Sequence, residues 1–277
     1  MGKLLDTGPS PRGWHRVQNM LECAQKYSYR YNLGKEPTFS AAALLKGSLM
    51  HLALAHHYMR LKNKQLGLDP DEWLPAKDAV DLKCLQDPEN LDYQDLINNC
   101  YDEYCARWMI EDQHLKILEV EKLAYAIITD EKRDKKYLLT GRFDMVVEWE
   151  GKVWVTDHKT TSRLSRSHEK YYAVSGQLIG YEYMARQIYG EKLGGVLLNF
   201  AQHTVPCKFE RTKISPRPNL SAQFPQTIID AERRITDLEE SGRSFDHWPK
   251  AMNELSCYSR YGACPYIEDC KYGSLPT

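Results

Sequence analysis

Asp144, Asp157 and Lys159 are the residues of this chain whose types and spacing most directly suggest chemistry. They lie in the run Thr140-Gly-Arg-Phe-Asp-Met-Val-Val-Glu-Trp-Glu-Gly-Lys-Val-Trp-Val-Thr-Asp-His-Lys159, where two β-type stretches flank Glu150-Gly151. A two-residue turn at that point makes a hairpin and sets Asp144 directly across from Asp157, with β-carbons ~5 Å apart. Facing carboxylates repel unless a cation lies between them, and Mg²⁺ or Mn²⁺ are the hard cations that such oxygens favour. Lys159, two residues past Asp157, leaves the same face of the strand. An ammonium there can steady a developing oxyanion or orient an attacking water. This is equipment for phosphodiester hydrolysis. It depends on register, since a slip of one residue sends the two aspartates to opposite faces. Without that register a D-x-K triplet reads as a solvated hairpin edge.

The elements that must position these residues follow from periodicity and capping. Residues 14–31 read as a helix with Val17, Met20, Leu21 and Ala24 on one face. Ser40 caps a second, Ala- and Leu-rich helix over 41–62. Residues 69–89, with Pro70, Pro75 and Pro88, read as an irregular excursion, and 91–111 as another helix. From 117 the character changes: 117–129 and 137–156 are rich in β-branched and aromatic residues and are separated by a charged turn. A helix over 171–189, strands over 193–200 and 204–212, and an amphipathic helix over 225–240 closed by Gly242 complete the core. The expected fold is α/β, a central mixed sheet flanked by helices. The chain reads as one domain, 1–277: a helical part over 13–112, a catalytic α/β core over 117–242, and a cysteine-bearing lobe over 248–277.

Composition narrows the setting. With 277 residues and a net charge of −1, the chain is no wholesale basic binder of nucleic acid, so DNA contacts must come from local patches. No run approaches the ~18 apolar residues of a membrane span. Residues 1–12 are polar with two prolines, unlike a secretory signal. The expectation is a soluble, cytoplasmic protein with no membrane partner.

Eight cysteines without a signal peptide argue for metal binding over disulfides. Cys257, Cys264 and Cys270 are compactly spaced near the C-terminus, and Cys23 is the candidate fourth ligand. Structural zinc normally takes pairs of ligands two to four residues apart, and no such pair occurs here. Four widely spaced thiolates favour a 4Fe-4S cluster, with Zn²⁺ as the alternative. Either would tie the chain ends together. Cys84, Cys100, Cys105 and Cys207 remain unassigned.

The order of motifs then becomes specific. Gly47-Ser-Leu-Met-His51, Gly141-Arg-Phe-Asp144, Asp157-His-Lys159 and Gln177-Leu-Ile-Gly-Tyr181 together resemble the motif series of RecB-family nucleases in the PD-(D/E)XK superfamily. The resemblance implies that His51, Asp144, Asp157 and the backbone carbonyl of His158 hold the metal, and that Lys159 is the catalytic lysine. It also implies that Gln177 and Tyr181 touch DNA or steady the site. One N-terminal and three C-terminal cysteines resemble the iron–sulfur nucleases: the AddB nuclease domain, CRISPR-associated relatives and phage-encoded homologues. By itself, His51 in an Ala/Leu-rich helix reads as a packed core residue, and His56 and His57 are not assigned. Glu119 and Glu121 are read as structural rather than as ligands of a second metal.

Basic residues concentrate at 132–136, at Arg163, Arg166 and Lys170, and at Arg211, Lys213 and Arg217. The segment after Lys159 is the preferred DNA contact, through Arg163 and Arg166, because it leaves the end of the active strand. The resulting expectation is a metal-dependent DNA exonuclease acting on free ends or single strands. Two alternatives stand beside it: a nuclease subunit of a CRISPR spacer-acquisition or recombination complex, and a non-catalytic DNA-binding scaffold with structural zinc. No phosphate-loop motif is present, so a motor would be on another chain. Relatives that form rings leave a homo-oligomer open.

Overall fold

A computed structural model describes residues 2–37, 42–165, 167–259 and 262–273. The N-terminal part supplies α1 (Trp14–Glu22), α2 (Ala24–Tyr27), α3 (Ala42–Gln65), α4 (Ala76–Gln86) and α5 (Gln94–Trp108). Three strands follow, β1 (Lys116–Asp130), β2 (Lys135–Trp149) and β3 (Lys152–Thr161). Next come α6 (Ser167–Ala173), α7 (Gly176–Tyr189), β4 (Leu193–Gln202), β5 (Lys208–Ile214) and α8 (Pro218–Glu240). The tail carries α9 (Glu254–Cys257), β6 (Tyr258–Ser259), β7 (Gly262–Ala263) and α10 (Ile267–Tyr272).

The sheet runs β1-β2-β3-β4-β5, with β3 and β4 parallel and the other neighbours antiparallel. The parallel step needs a long connection, and α6 and α7 provide it. Helices cover both faces. On one side Val17 and Met20 of α1, Leu178 and Met184 of α7 and Phe224 and Ile228 of α8 bury against Val153, Val155, Val196 and Leu198. On the other, Leu49, Met50 and Ala53 of α3 and Ile97 and Tyr104 of α5 meet Met145, Val147, Trp154 and Leu197. A strand covered on both faces needs apolar side chains in both directions, which explains why β3 and β4 lack the polar alternation of a one-sided sheet.

The expected hairpin forms at Glu150 and Gly151, whose φ values of +52° and +75° are those of a mirror-image two-residue turn. The register is the one that the turn dictates: Trp149 pairs with Lys152, Val147 with Trp154, and Met145 with Thr156.

Several element boundaries differ from expectation. The helix expected over 14–31 breaks at Cys23, which is extended (φ −166°, ψ 117°), and ends in a π-helical turn, Ser28–Asn32. The tail causes this break: the Gln25 N–H donates to Pro249 O, and Gln25 Nε2 and Ser28 Oγ donate to Phe245 O. The stretch 69–89 holds α4, because Ala76, Ala79 and Val80 present an apolar face that α3 covers. The helix expected from 91 begins at Gln94, after a 3₁₀ segment, Pro88–Tyr93. The helix expected over 171–189 divides at Ser175. The strand expected from 204 starts at Lys208. The helix expected from Pro225 starts at Pro218, where a proline costs nothing because first-turn N–H groups have no helical partner. Ser40 lies outside the described residues. Among those described, no helix is long and apolar enough to cross a membrane.

The tail has little core of its own and borrows one. Trp248 is buried and stacks on Tyr27 with the ring planes 3° apart, and Tyr266 packs on Tyr29 and donates to Lys35 O.

Candidate active site

Both long strands change face at one level of the sheet. Val120 and Met145 point into the α3–α5 layer, whereas Ala124 and Phe143 point into the α1–α7–α8 layer. Between them lie Glu121 and Asp144, flanked by the pairs Val120–Met145 and Lys122–Phe143. Glu121 takes φ +50°, a left-handed conformation rare for a residue with a Cβ. At the same level of the neighbouring strand stands Asp157, one step past the Met145–Thr156 pair. Three carboxylates on three adjacent strands therefore meet where the hairpin turns inside out. Two of them carry the expected motif.

The contacts are short. Asp144 Oδ2 accepts the His158 backbone N–H at 2.6 Å and lies 3.5 Å from His51 Nδ1. Lys159 Nζ lies 2.7 Å from Asp157 Oδ2 and donates to Gln177 Oε1 at 3.1 Å, and Gln177 Nε2 donates to Tyr181 OH at 3.1 Å. Gln177 and Tyr181, one helical turn apart on α7, thus reach back to hold the lysine. His51 is not a core histidine: 28% of its side chain is exposed, whereas His56 is fully buried. Close approach explains the motif glycines. A Cβ on Gly47 would sit 3.2 Å from Thr160 Oγ1, and one on Gly141 would sit 2.4 Å from Met184 Cε. Small residues there let α3 and α7 close on the active strands.

The electrostatics are those of carboxylates withdrawn from water. Burial, with Asp157 adding to it and His51 opposing it, raises the pKa of Asp144. Burial and then Asp144 push Glu121 up to about 9. Burial works against the Lys159 ammonium, but Asp157 and Asp144 more than offset it, so its pKa is raised. Tyr181 is raised well above the ordinary range by burial and then by Asp144. His158 is held neutral by burial, and next by His51.

Among the described residues, no three His, Cys, Asp or Glu side chains already form a finished metal cage. The donors nonetheless fit a hard divalent cation. Asp157 is 1% exposed and its Oδ1 has no hydrogen-bond partner, so a buried carboxylate oxygen is left unsatisfied beside Asp144. Glu121 lines a cavity of about 320 Å³ with Asp144, His51, Gln177 and Tyr181. The cation nearest to Glu121 is Arg142, at 4.0 Å, a loose pairing for a buried carboxyl. The cavity wall is completed by the segment Thr7–Ser10. That strap is pinned by Asp6 on Arg142 and by Arg12 and Ser10 on Thr140.

Sequence reasoning gives Glu121 a structural part, and its only signal is a charged residue interrupting a β-type run. The strap leaves no signal at all. A third feature, hidden because its members are scattered, is a buried polar network behind the site. Asn199 Nδ2 meets His158 Nδ1 and Tyr104 OH, each at 2.7 Å. Arg211 donates to Tyr58 OH and Tyr104 OH and pairs with Asp112 at 2.6 Å. The sequence groups Arg211 with exposed basic residues, but its side chain is only 5% exposed and it is an internal anchor. Of the two arginines expected to meet DNA, Arg163 lines an open pocket beside β3, and Arg166 lies outside the described residues.

The four cysteines share one neighbourhood. Burial first, and then Cys23 and Cys257, raise the Cys264 thiol, and the Cys270 thiol is raised by burial and by the same neighbours with Cys264. Cys264 N–H donates to Cys257 O at 2.7 Å, and Ser256 Oγ binds Glu22 O beside Cys23.

Known proteins were compared with the chain by structure and by sequence. A solved structure of a candidate exonuclease from Eubacterium rectale is 14% identical, covers 95% of this chain and 93% of its own, and superposes with a TM-score of 0.48. The structure of the protein SSO0001 is 13% identical, covers 91% and 96%, and has a TM-score of 0.37. No curated protein matches. The family description "PD-(D/E)XK nuclease superfamily" matches residues 14–271, nearly the whole chain, including His51, Glu121, Asp144, Asp157, Lys159, Gln177 and Tyr181. The chain therefore belongs to the PD-(D/E)XK nuclease superfamily.

Proposed function

We propose that the protein is a metal-dependent DNA nuclease, an exonuclease acting on free ends or single strands. The observation that carries this reading is the buried, unsatisfied Asp157 Oδ1 beside Asp144, with Lys159 held on the same face. His51, Asp144, Asp157 and the His158 carbonyl would hold Mg²⁺ or Mn²⁺, with Glu121 close enough to share in it. Such a cation neutralises phosphate charge and makes a bound water more acidic. The protein's own groups do the rest. Lys159, fixed between Asp157 and Gln177, presents an ammonium to the negative charge that builds on the phosphoryl oxygens. Tyr181 and Gln177 keep that ammonium from swinging away, which matters because misplacement by about 1 Å can cost 10²-fold in rate. The end-directed mode is supported by the motif series, which resembles that of nucleases that load on free ends. Cys23, Cys257, Cys264 and Cys270 hold a 4Fe-4S cluster that joins the chain ends, and its role is structural.

The test is degradation of end-labelled single- and double-stranded DNA with Mn²⁺ by anaerobically purified protein, beside Asp157→Ala. Cutting by wild type alone supports the site, and the product ladder gives polarity and mode. Inactivity of both, with iron confirmed, leaves a partner-dependent subunit or a DNA-binding scaffold.

A further inference from the structure

A second cavity, about 940 Å³ in volume, opens where β3 and β4 end. These are the parallel strands, and the crevice beyond their carboxyl ends is where open α/β sheets take ligands. Its lining includes Lys46, Thr160, Arg163, His168, Tyr172 and His203. None of the described lining residues is acidic, in a chain with 38 carboxylate side chains and a net charge of −1. The first cavity, by contrast, holds Glu121 and Asp144. Lys159 Nζ lies 2.7 Å from Asp157 Oδ2 and 5.6 Å from the centre of the Tyr172 ring, which lines the second cavity.

The second cavity has a fixed floor with long cationic side chains above it. His203 uses both its backbone N–H and Nδ1 on Thr161 O, at 3.1 and 2.8 Å, so the end of β3 cannot drift. The buried Nδ1 of His168 has no hydrogen-bond partner. Arg163 is exposed on the turn that leaves β3, and Lys46 rises from the first turns of α3. Cations and hydroxyls around an unpaired imidazole nitrogen suit a phosphate.

We propose that this cavity binds the nucleotide that flanks the scissile phosphate, its phosphate on Lys46 and Arg163. The inference rests on the nuclease reading, because it assigns the ligand as a continuation of the substrate strand.

The experiment uses full-length protein silenced by Asp157→Asn, titrated with a fluorescent single-stranded oligodeoxynucleotide over a series of salt concentrations. Lys46→Met with Arg163→Gln is expected to weaken binding by tenfold or more. The slope of log Kd against log salt should fall by about 0.7 for each phosphate that the variant no longer neutralises. Lys46→Arg should retain both affinity and slope. Inorganic phosphate, added as competitor, should displace the oligonucleotide from the parent protein more readily than from the double variant. Unchanged affinity and slope in the double variant overturn the proposal. Arg163→Gln alone, on an exposed turn, carries the same test if the Lys46 variant unfolds. Cleavage by wild type separates the two readings. Cutting with unaltered variant binding removes the second cavity alone. Weakened variant binding without wild-type cutting removes the nuclease reading and leaves a DNA-binding cavity.

Discussion

The backbone N–H of His158 is bonded to Asp144 Oδ2 at 2.6 Å, so the strand bearing Asp157 and Lys159 is tied to its opposite carboxylate without help from a cation. An asparagine at 144 can keep that bond through its carbonyl oxygen while removing the charge. Burial and Asp157 both disfavour the Asp144 carboxylate, so Asp144→Asn should melt at or above wild type when metal is absent. Added Mn²⁺ should reverse the order, because a ligand bound only by the native state stabilises by about 2.7 kcal/mol at a hundred times its Kd. Thermal melts with and without Mn²⁺ test this. An equal Mn²⁺ gain in the variant would remove Asp144 from the metal site.

Glu121 combines a left-handed backbone with a buried carboxyl, two costs that one residue bears only if something offsets them. Glu121→Gly relieves both and should stabilise metal-free protein by about 1 kcal/mol. Glu121→Gln removes the titratable carboxyl alone. If the carboxylate serves the cation, both variants should bind Mn²⁺ about tenfold more weakly by calorimetry, a loss of roughly 1.4 kcal/mol. Wild-type affinity in both would return Glu121 to a purely structural part.

How far the site is legible in the sequence follows from which forces are local. The Glu150-Gly151 turn fixes the register of Asp144 against Asp157, and turn chemistry is written in adjacent residues. The motif glycines are legible as types, although their reason, the approach of Thr160 and Met184, is tertiary. The face switch at Glu121 is not legible, because alternation is a pattern of one strand and the switch needs both helical layers. Cys23 stands out by residue type, yet the helix break beside it comes from Phe245 and Pro249, more than two hundred positions away. Arg211 looks like a surface cation for the same reason, since its partners Asp112, Tyr58 and Tyr104 lie about a hundred positions or more earlier.

His56 gives the strap a pH dependence. Its Nε2 accepts the Leu5 N–H at 3.0 Å and its Nδ1 meets Leu74 O at 2.8 Å, an arrangement that fits only the neutral ring with its proton on Nδ1. Burial lowers its pKa from the ordinary 6.5, with Leu74 opposing. A depressed folded pKa means that the stabilisation is complete above about 6.5 and is lost as pH falls below it. The protection factor of the Leu5 amide, which is its exchange corrected for the intrinsic pH dependence, should therefore fall more between pH 7.5 and 5.5 than protection in β3. In His56→Gln, which cannot titrate, that extra pH dependence should vanish, and its persistence would point to another group.

The Asp112–Arg211 pair is a buried ion pair whose members are 8% and 5% exposed. Replacing one partner strands a charge in the core. Arg211→Met should cost about 3–5 kcal/mol in urea unfolding. Asp112→Asn with Arg211→Met should recover part of that loss, because no bare carboxylate remains. Additive losses in the double variant would show that packing against Trp108, whose ring centre lies 4.0 Å from the guanidinium carbon, dominates instead.

The cysteine lobe has two sources of cohesion, and they can be separated. Trp248 and Tyr266 dock on α2 and the π-helical turn whatever the sulfurs hold. The thiols of Cys264 and Cys270 are raised by burial and by their neighbours, so gathering four thiolates requires positive charge at the centre. Anaerobic protein should show iron and inorganic sulfide with a charge-transfer absorbance, and Cys270→Ala should lose that signal. Because such a cluster would join residue 23 to the C-terminal lobe, its loss should lower the melting temperature and raise proteolysis within 248–273. Cleavage should fall with it. A soluble, folded Cys270→Ala protein that has lost its iron yet cuts DNA at the wild-type rate would show that aromatic docking alone holds the lobe in place.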